Sequence, residues 1–228
     1  SSDELYDKNS ENKSEIRKTF PLDTYVEGNE FLCRIMQVMG LGVDEDSVLT
    51  CLKIVIDDNP EYNLNNHRGY WCAPLHYATI IRLEEVALYF IEKGADVNKL
   101  DMYQNNPLNY AVGLYDYGTL CDIKRKNKEM PKLVNKLIEK QVNVGNINGI
   151  SKLYPVHEAI KNQYYDSHYL IRLRMYYVLN TDLPFIKDTD EYKSLMKLKN
   201  EENTEPEIGI DKLISLIAVK KDEKRAIQ

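Results

Sequence analysis

Cys72 and His76 stand four residues apart, a spacing that on a helix sets a thiol beside an imidazole, the pairing that activates a cysteine nucleophile. The sequence around them supplies neither a third group to orient the imidazole nor a glycine-rich turn to receive an oxyanion. His67 and His168 are isolated, with no companion at metal-ligand spacing, and Cys33, Cys51, Cys72 and Cys121 include no pair two residues apart. Scattered thiols of this kind read as small apolar residues in a reducing compartment rather than as a disulfide or zinc framework. No phosphate loop, dinucleotide fingerprint, H-E-x-x-H or G-x-S-x-G occurs. The expectation is therefore a chain that is not an enzyme, with no catalytic residue, bound metal or cofactor.

Tyr164-Tyr165 and Tyr176-Tyr177, with Arg172 and Arg174 between them, could stack on nucleic-acid bases. Their helical spacing, and a formal net charge of -6 from 36 acidic against 30 basic residues, favour core and rim tyrosines instead. No stretch approaches a membrane span, and Ser1-Ser2-Asp3-Glu4 has neither the basic nor the apolar part of a secretion signal. A start without Met is what a fragment would show. At 228 residues, 43% hydrophobic and 29% charged, the chain can bury a core. Lysine outnumbers arginine 22 to 8 and tyrosine reaches 17, a bias expected of an AT-rich genome such as those of intracellular bacteria or large DNA viruses.

What positions these residues is a repeat. Ala73-Pro74-Leu75-His76-Tyr77-Ala78 returns as Asn106-Pro107-Leu108-Asn109-Tyr110-Ala111, 107 − 74 = 33 residues on. It returns again as Tyr154-Pro155-Val156-His157-Glu158-Ala159, a further 155 − 107 = 48 residues away. A second marker follows in the same order: Gly94-Ala95-Asp96-Val97-Asn98, then Gln141-Val142-Asn143-Val144-Gly145. Proline suits the first helical position, and Val86, Ala87, Phe90 and Ile91 form a stripe on a second helix that Gly94 would close. In the third copy Leu170, Leu173, Tyr177 and Val178 give a comparable stripe. Upstream, Phe31, Leu32, Ile35, Met36 and Met39, then Val48, Leu49, Leu52 and Ile56, outline a degenerate first pair, with Asp46 or Ser47 as a cap.

These segments resemble ankyrin repeats, whose unit carries a T-P-L-H-x-A element and a later G-A-D-V-N loop. The resemblance implies an all-α solenoid of stacked helix pairs with β-hairpin-like fingers between them, and a non-catalytic, protein-binding role. It assigns His76 and His157 to loop bracing. The sequence departs from the pattern at the motif's Thr, at Asn109 in place of His, and at Arg82, where a glycine is usual between the helices.

Residues 1–27 are polar and are expected to be an arm, 28–181 the repeats, and 182–228 a helical C-terminal cap in which Ile210, Leu213, Ile214 and Ile217 form a last stripe. The second repeat is longer by about 14 residues within 113–131, a basic excursion carrying Tyr115 and Tyr117. On the resemblance, a protein partner would meet the finger tips, the inner ends of the first helices and this excursion. The candidates are Arg68, Tyr70, Trp71, Ile80, Ile81, Asp101, Met102, Tyr103, Gln104, Tyr115 and Tyr117. Ile80 and Ile81 either face a partner or pack on a neighbouring repeat. Composition and resemblance together point to a monomeric pathogen or symbiont protein that engages a host protein in the host-cell cytosol, with no nucleic acid and no membrane insertion. The alternative is the substrate-recruiting part of a larger enzyme or ubiquitin-ligase adaptor.

Overall fold

Five helices open on proline, at Pro74, Pro107, Pro131, Pro155 and Pro184, where the missing N–H would have had no intrahelical partner. The computed structural model describes residues 30–39, 43–59, 62–66, 71–114 and 128–202. Within them the chain is all-α: α1 (Glu30–Met39), α2 (Glu45–Asp57), α3 (Pro74–Ile80), α4 (Glu84–Glu92), α5 (Pro107–Val112), α6 (Pro131–Glu139), α7 (Pro155–Lys161), α8 (Tyr165–Leu179), α9 (Pro184–Lys187) and α10 (Asp190–Glu202). Among the described residues no strand occurs, and no helix is long and apolar enough to cross a membrane. The cap of α2 is Asp44 rather than Asp46 or Ser47: its carboxylate accepts from the Ser47 N–H at 2.9 Å and the Ser47 hydroxyl at 2.8 Å, which holds its pKa down.

Helices pair as α1/α2, α3/α4, α5/α6 and α7/α8. The first helices α1, α3, α5 and α7 lie side by side in one layer and α2, α4, α6 and α8 in a second, so each pair touches its neighbours. Leu75, Ala78, Val86, Ala87, Phe90 and Ile91 are buried between the layers, as are Leu108, Ala111, Leu133, Val134 and Leu137 in the next pair. The stripe expected on α8 holds only in part. Of the expected residues Val178 is buried and Leu170 packs on the core, but Leu173 and Tyr177 are half exposed and Ile171 and Met175 face inward in their place, because this helix is apolar on both sides and its spacing alone does not select one.

Left-handed backbone recurs in step with the prolines. Arg82 (φ 62) and Gln163 (φ 60) separate first and second helices, and 163 − 82 = 81 equals 155 − 74 = 81 for Pro74 and Pro155. Gly94 (φ 90) and Gln141 (φ 61) follow second helices, and Gln104 (φ 63) and Lys152 (φ 62) turn the loop tips. Residues carrying a Cβ at such positions cost about 1–2 kcal/mol each. Gln141→Gly is therefore expected to stabilise by about 0.5–1 kcal/mol, and Gly94→Ala to destabilise by a similar amount, read as opposite shifts in the urea midpoint. A Cβ at Gly94 would meet no atom within 4 Å, so conformation alone sets that cost.

Two sets of side chains staple the layers. Asn65 accepts from the Asp96 N–H at 2.7 Å, and Asn98 accepts from the Asn143 N–H at 2.7 Å while donating to the Gln141 carbonyl at 3.0 Å. At the far edge, a glutamate of one layer caps the second helix of the next. Glu45 accepts from the Glu85 N–H at 2.8 Å, Glu84 from the Leu133 N–H at 3.1 Å and Glu129 from the Ser167 N–H at 2.7 Å. Where a third ladder asparagine would stand the chain has Gly145, and α10 occupies the space. A Cβ there would lie 3.1 Å from the Glu191 carbonyl oxygen and 3.1 Å from the Ser194 Cβ. Glu191 accepts from the Val144 N–H at 3.3 Å and pairs with Arg174 at 2.7 Å, and Ser194 donates to the Gly145 carbonyl at 2.6 Å. The expected arm, the stripe from Ile210 to Ile217 and most of the excursion lie outside the described residues.

Candidate partner-binding surface

The thiol–imidazole pair does not form. The Ala73 N–H donates to His76 Nδ1 at 3.2 Å, which leaves the proton on Nε2, within 2.9 Å of the Lys99 carbonyl and 3.2 Å of the Asn105 carbonyl. Burial lowers the His76 pKa despite the Asp101 carboxylate nearby. Burial, with Cys33 beside it, pushes the Cys72 thiol far above its ordinary range. His76 therefore braces the following loop. Asn109 does the same in the next pair, accepting from the Asn106 N–H at 3.0 Å and donating to the Asn146 carbonyl at 2.8 Å. Among the described residues no three His, Cys, Asp or Glu side chains cluster as metal ligands would.

The braced loops end in two matching turns. In the first, the Asp101 carboxylate accepts from the Tyr103 N–H at 2.8 Å, from the Asn105 N–H at 3.0 Å and from the Tyr110 hydroxyl. In the second, Asn148 accepts from the Ile150 N–H at 2.8 Å and the Ser151 N–H at 3.1 Å, and donates to Glu158 at 3.0 Å. The turns abut. Asn105 accepts from the Gly149 N–H at 2.7 Å, Asn146 donates to the Gln104 carbonyl at 3.0 Å, and a Cβ at Gly149 would fall 1.6 Å from the Tyr103 carbonyl oxygen, so only glycine fits. On the other side Met102 donates its N–H to the Trp71 carbonyl at 3.2 Å, and the Trp71 and Tyr103 rings meet edge-on at 5.9 Å.

The outer surface of this row carries a run of exposed apolar side chains, with Gln104, Ser151 and Lys152 exposed among them. Met102 is 61% exposed, Ile150 48% and Tyr103 45%, with Leu100 and Ile147 at the margins and Trp71 half buried. Of the sequence candidates, Trp71, Met102, Tyr103 and Gln104 are brought together here. Three others are not available to a partner. Ile80 and Ile81 are buried because the layer of first helices continues on both sides of α3, and Asp101 is buried beneath the turn that it organises. Arg68, Tyr70, Tyr115 and Tyr117 lie outside the described residues. Sequence reasoning passed over Leu100, Ile147 and Ile150 as site residues. The signal was the register, since 147 − 100 = 47 and 150 − 103 = 47 place Ile147 and Ile150 as the counterparts of Leu100 and Tyr103. Comparison with protein-family models and with curated proteins finds no match.

Proposed function

We propose that the chain is an ankyrin-type repeat module that binds a folded protein through the row of loop tips. The observation that carries the reading is the apolar run from Trp71 through Met102 and Tyr103 to Ile150, held on a hydrogen-bonded frame instead of being buried. A surface of that kind loses little side-chain and loop freedom on binding, and aromatic anchors on a rigid frame are what interface hot spots are made of. The 33-residue register, the stacked helix pairs and the bracing by His76 and Asn109 support the repeat class. The Lys- and Asn-rich composition supports a host protein as the partner, engaged in the host-cell cytosol by a monomeric pathogen or symbiont protein.

The test compares capture from host-cell lysate by the wild-type chain, by Tyr103→Ala/Ile150→Ala, and by Lys53→Ala on the second-helix layer. Proteins retained by the wild type and by Lys53→Ala are expected to bind the double variant at least about 30-fold more weakly, the loss of one or two hot spots. A double variant that stays folded by circular dichroism and keeps every partner would falsify the assignment of this surface.

A further inference from the structure

Two thiols meet inside the stack. Cys33 on α1 and Cys72, just ahead of α3, are both buried and both free, and the Cys72 thiol is hydrogen-bonded to that of Cys33. Because α1 packs on α3, this contact joins the first helix pair to the second. The two residues stand 72 − 33 = 39 apart in the sequence. The backbone on either side of Cys72 is fixed. The Trp71 carbonyl accepts the Met102 N–H at 3.2 Å, and the Ala73 N–H donates to His76 Nδ1 at 3.2 Å. On α1, Leu32, Ile35 and Met36 are buried along with Cys33, so the helix holds the other sulfur in place.

We propose that Cys33 and Cys72 form a reversible disulfide that locks α1 to the entry of α3 when the chain meets a low-molecular-weight disulfide such as oxidised glutathione. A disulfide sets its sulfurs about 2 Å apart, and two thiols already in hydrogen-bond contact reach that by side-chain rotation and a small backbone shift. The exchange has two steps. Burial keeps Cys72 protonated, so Cys33 reacts first, when α1 opens locally in the end pair of the described stack. Its thiolate attacks one sulfur of R–S–S–R, forms a mixed disulfide and expels RS−, which takes up the proton that Cys33 lost. As α1 closes again, Cys72 gives up its proton and its sulfur attacks that of Cys33. The second RS− then leaves and is protonated to RSH. Two protein thiols are thereby oxidised by two electrons, and R–S–S–R is reduced to two RSH. The packed arrangement holds Cys72 against Cys33 at an effective concentration far above that of free glutathione, so the adduct resolves. The bond closes a loop of 39 residues and restricts the unfolded chain, which makes the oxidised form the more stable one. The lock stands apart from the loop-tip surface, and its test needs no partner.

Peptide mapping without reductant tests this on the full chain, treated with millimolar oxidised glutathione in native buffer and in urea just below the unfolding transition. The expected product is a monomer whose Cys33 and Cys72 peptides are linked, with glutathione on neither. Its urea midpoint is expected to rise by about 1–2 M, and dithiothreitol to reverse the rise. Cys33→Ala and Cys72→Ala are each expected to lose this shift, whereas Cys51→Ser/Cys121→Ser keeps it. Thiols of Cys33 and Cys72 that stay free under both conditions overturn the proposal. So do glutathione adducts that fail to resolve, a bond between two chains, or a linked chain whose midpoint does not rise.

Discussion

Arg82→Ala is expected to lower the unfolding free energy by about 3 kcal/mol or more, and Arg82→Gly by about 1 kcal/mol less than that. Arg82 is 3% exposed and ties the second helix pair to the third. Its guanidinium donates to the Ala111 carbonyl at 2.7 Å and to the Gly113 carbonyl, and lies 5.8 Å from the centre of the Tyr164 ring. α5 is only six residues long, so the last three of its carbonyls, from Tyr110 to Val112, lack a helical donor. Arg82 serves Ala111 at the end of α5 and Gly113 just past it, and Asn162 from the next helix pair donates to Val112 between them at 2.6 Å. Truncation leaves buried acceptors unpaired and removes packing against Tyr164, and each charged hydrogen bond of this kind is worth about 1.5–3 kcal/mol. Glycine removes the same side chain but relieves the φ of 62°, which separates backbone strain from the loss of contacts. Arg82→Lys keeps the charge without the fork and should fall between wild type and alanine. Because each layer touches only its neighbours, the urea transition of Arg82→Ala should also broaden, with α5 to α10 melting ahead of α1 to α4. An alanine variant within about 0.5 kcal/mol of wild type, or a glycine variant less stable than alanine, would dismiss this role.

Arg82 also shows where the sequence could and could not be read. The repeat was legible because proline, the Leu–Ala spacing and Gly94 are local signals, and the structure places helices where they stand. The departures from the pattern were legible only as departures. Asn109 looked like a lost histidine, yet its amide carries both an acceptor and a donor and spans the same two backbone groups. Arg82 looked like a missing glycine, yet it takes the left-handed backbone and adds a staple whose acceptors are 29 and 31 residues away. Asp101 looked like an exposed tip residue, and it is buried because three donors converge on it, one of them the Tyr110 hydroxyl nine residues on. The glutamates that cap the next layer left no trace at all, since their donors are 38 to 49 residues distant. At the proposed surface, the exposure of Met102 and Tyr103 followed from residue type and position, while the burial of Ile80 and Ile81 depended on how many neighbours α3 has. Long-range donors and layer count are properties of the assembled stack, and local spacing does not encode them.

His168 sets the other large effect, a loss of about 3 kcal/mol of stability as the pH falls from 6.5 to 4 that is absent in His168→Leu. The imidazole is buried in the first turn of α8, and among the described residues neither ring nitrogen has a hydrogen-bond partner. Burial first, then the charges of Arg172 on its own helix and His157 on α7, lower its pKa from 6.5 to about 4. The neutral ring is thus required in the folded state, whereas the unfolded chain binds the proton near 6.5. Between those two values the unfolded state holds more protons, so the contribution is intact above pH 6.5 and drains away on the way down to 4. Other charged groups at this turn are Asp166 within it, Arg82, over the Tyr164 ring, and Glu129, whose carboxylate is taken by the Ser167 N–H at 2.7 Å. Glu158 titrates in the opposite sense, because burial raises its pKa and its protonation favours the folded state, so the wild-type curve alone mixes the two. The difference between wild type and His168→Leu cancels Glu158. Leucine also removes two buried nitrogens that have no partner, so the variant should be more stable by about 1 kcal/mol at pH 7.5, the gap widening to about 4 kcal/mol at pH 4. Urea titrations of both chains from pH 7.5 to 4 measure it, and parallel curves would show that the buried imidazole finds a proton-compatible site that the fold does not display.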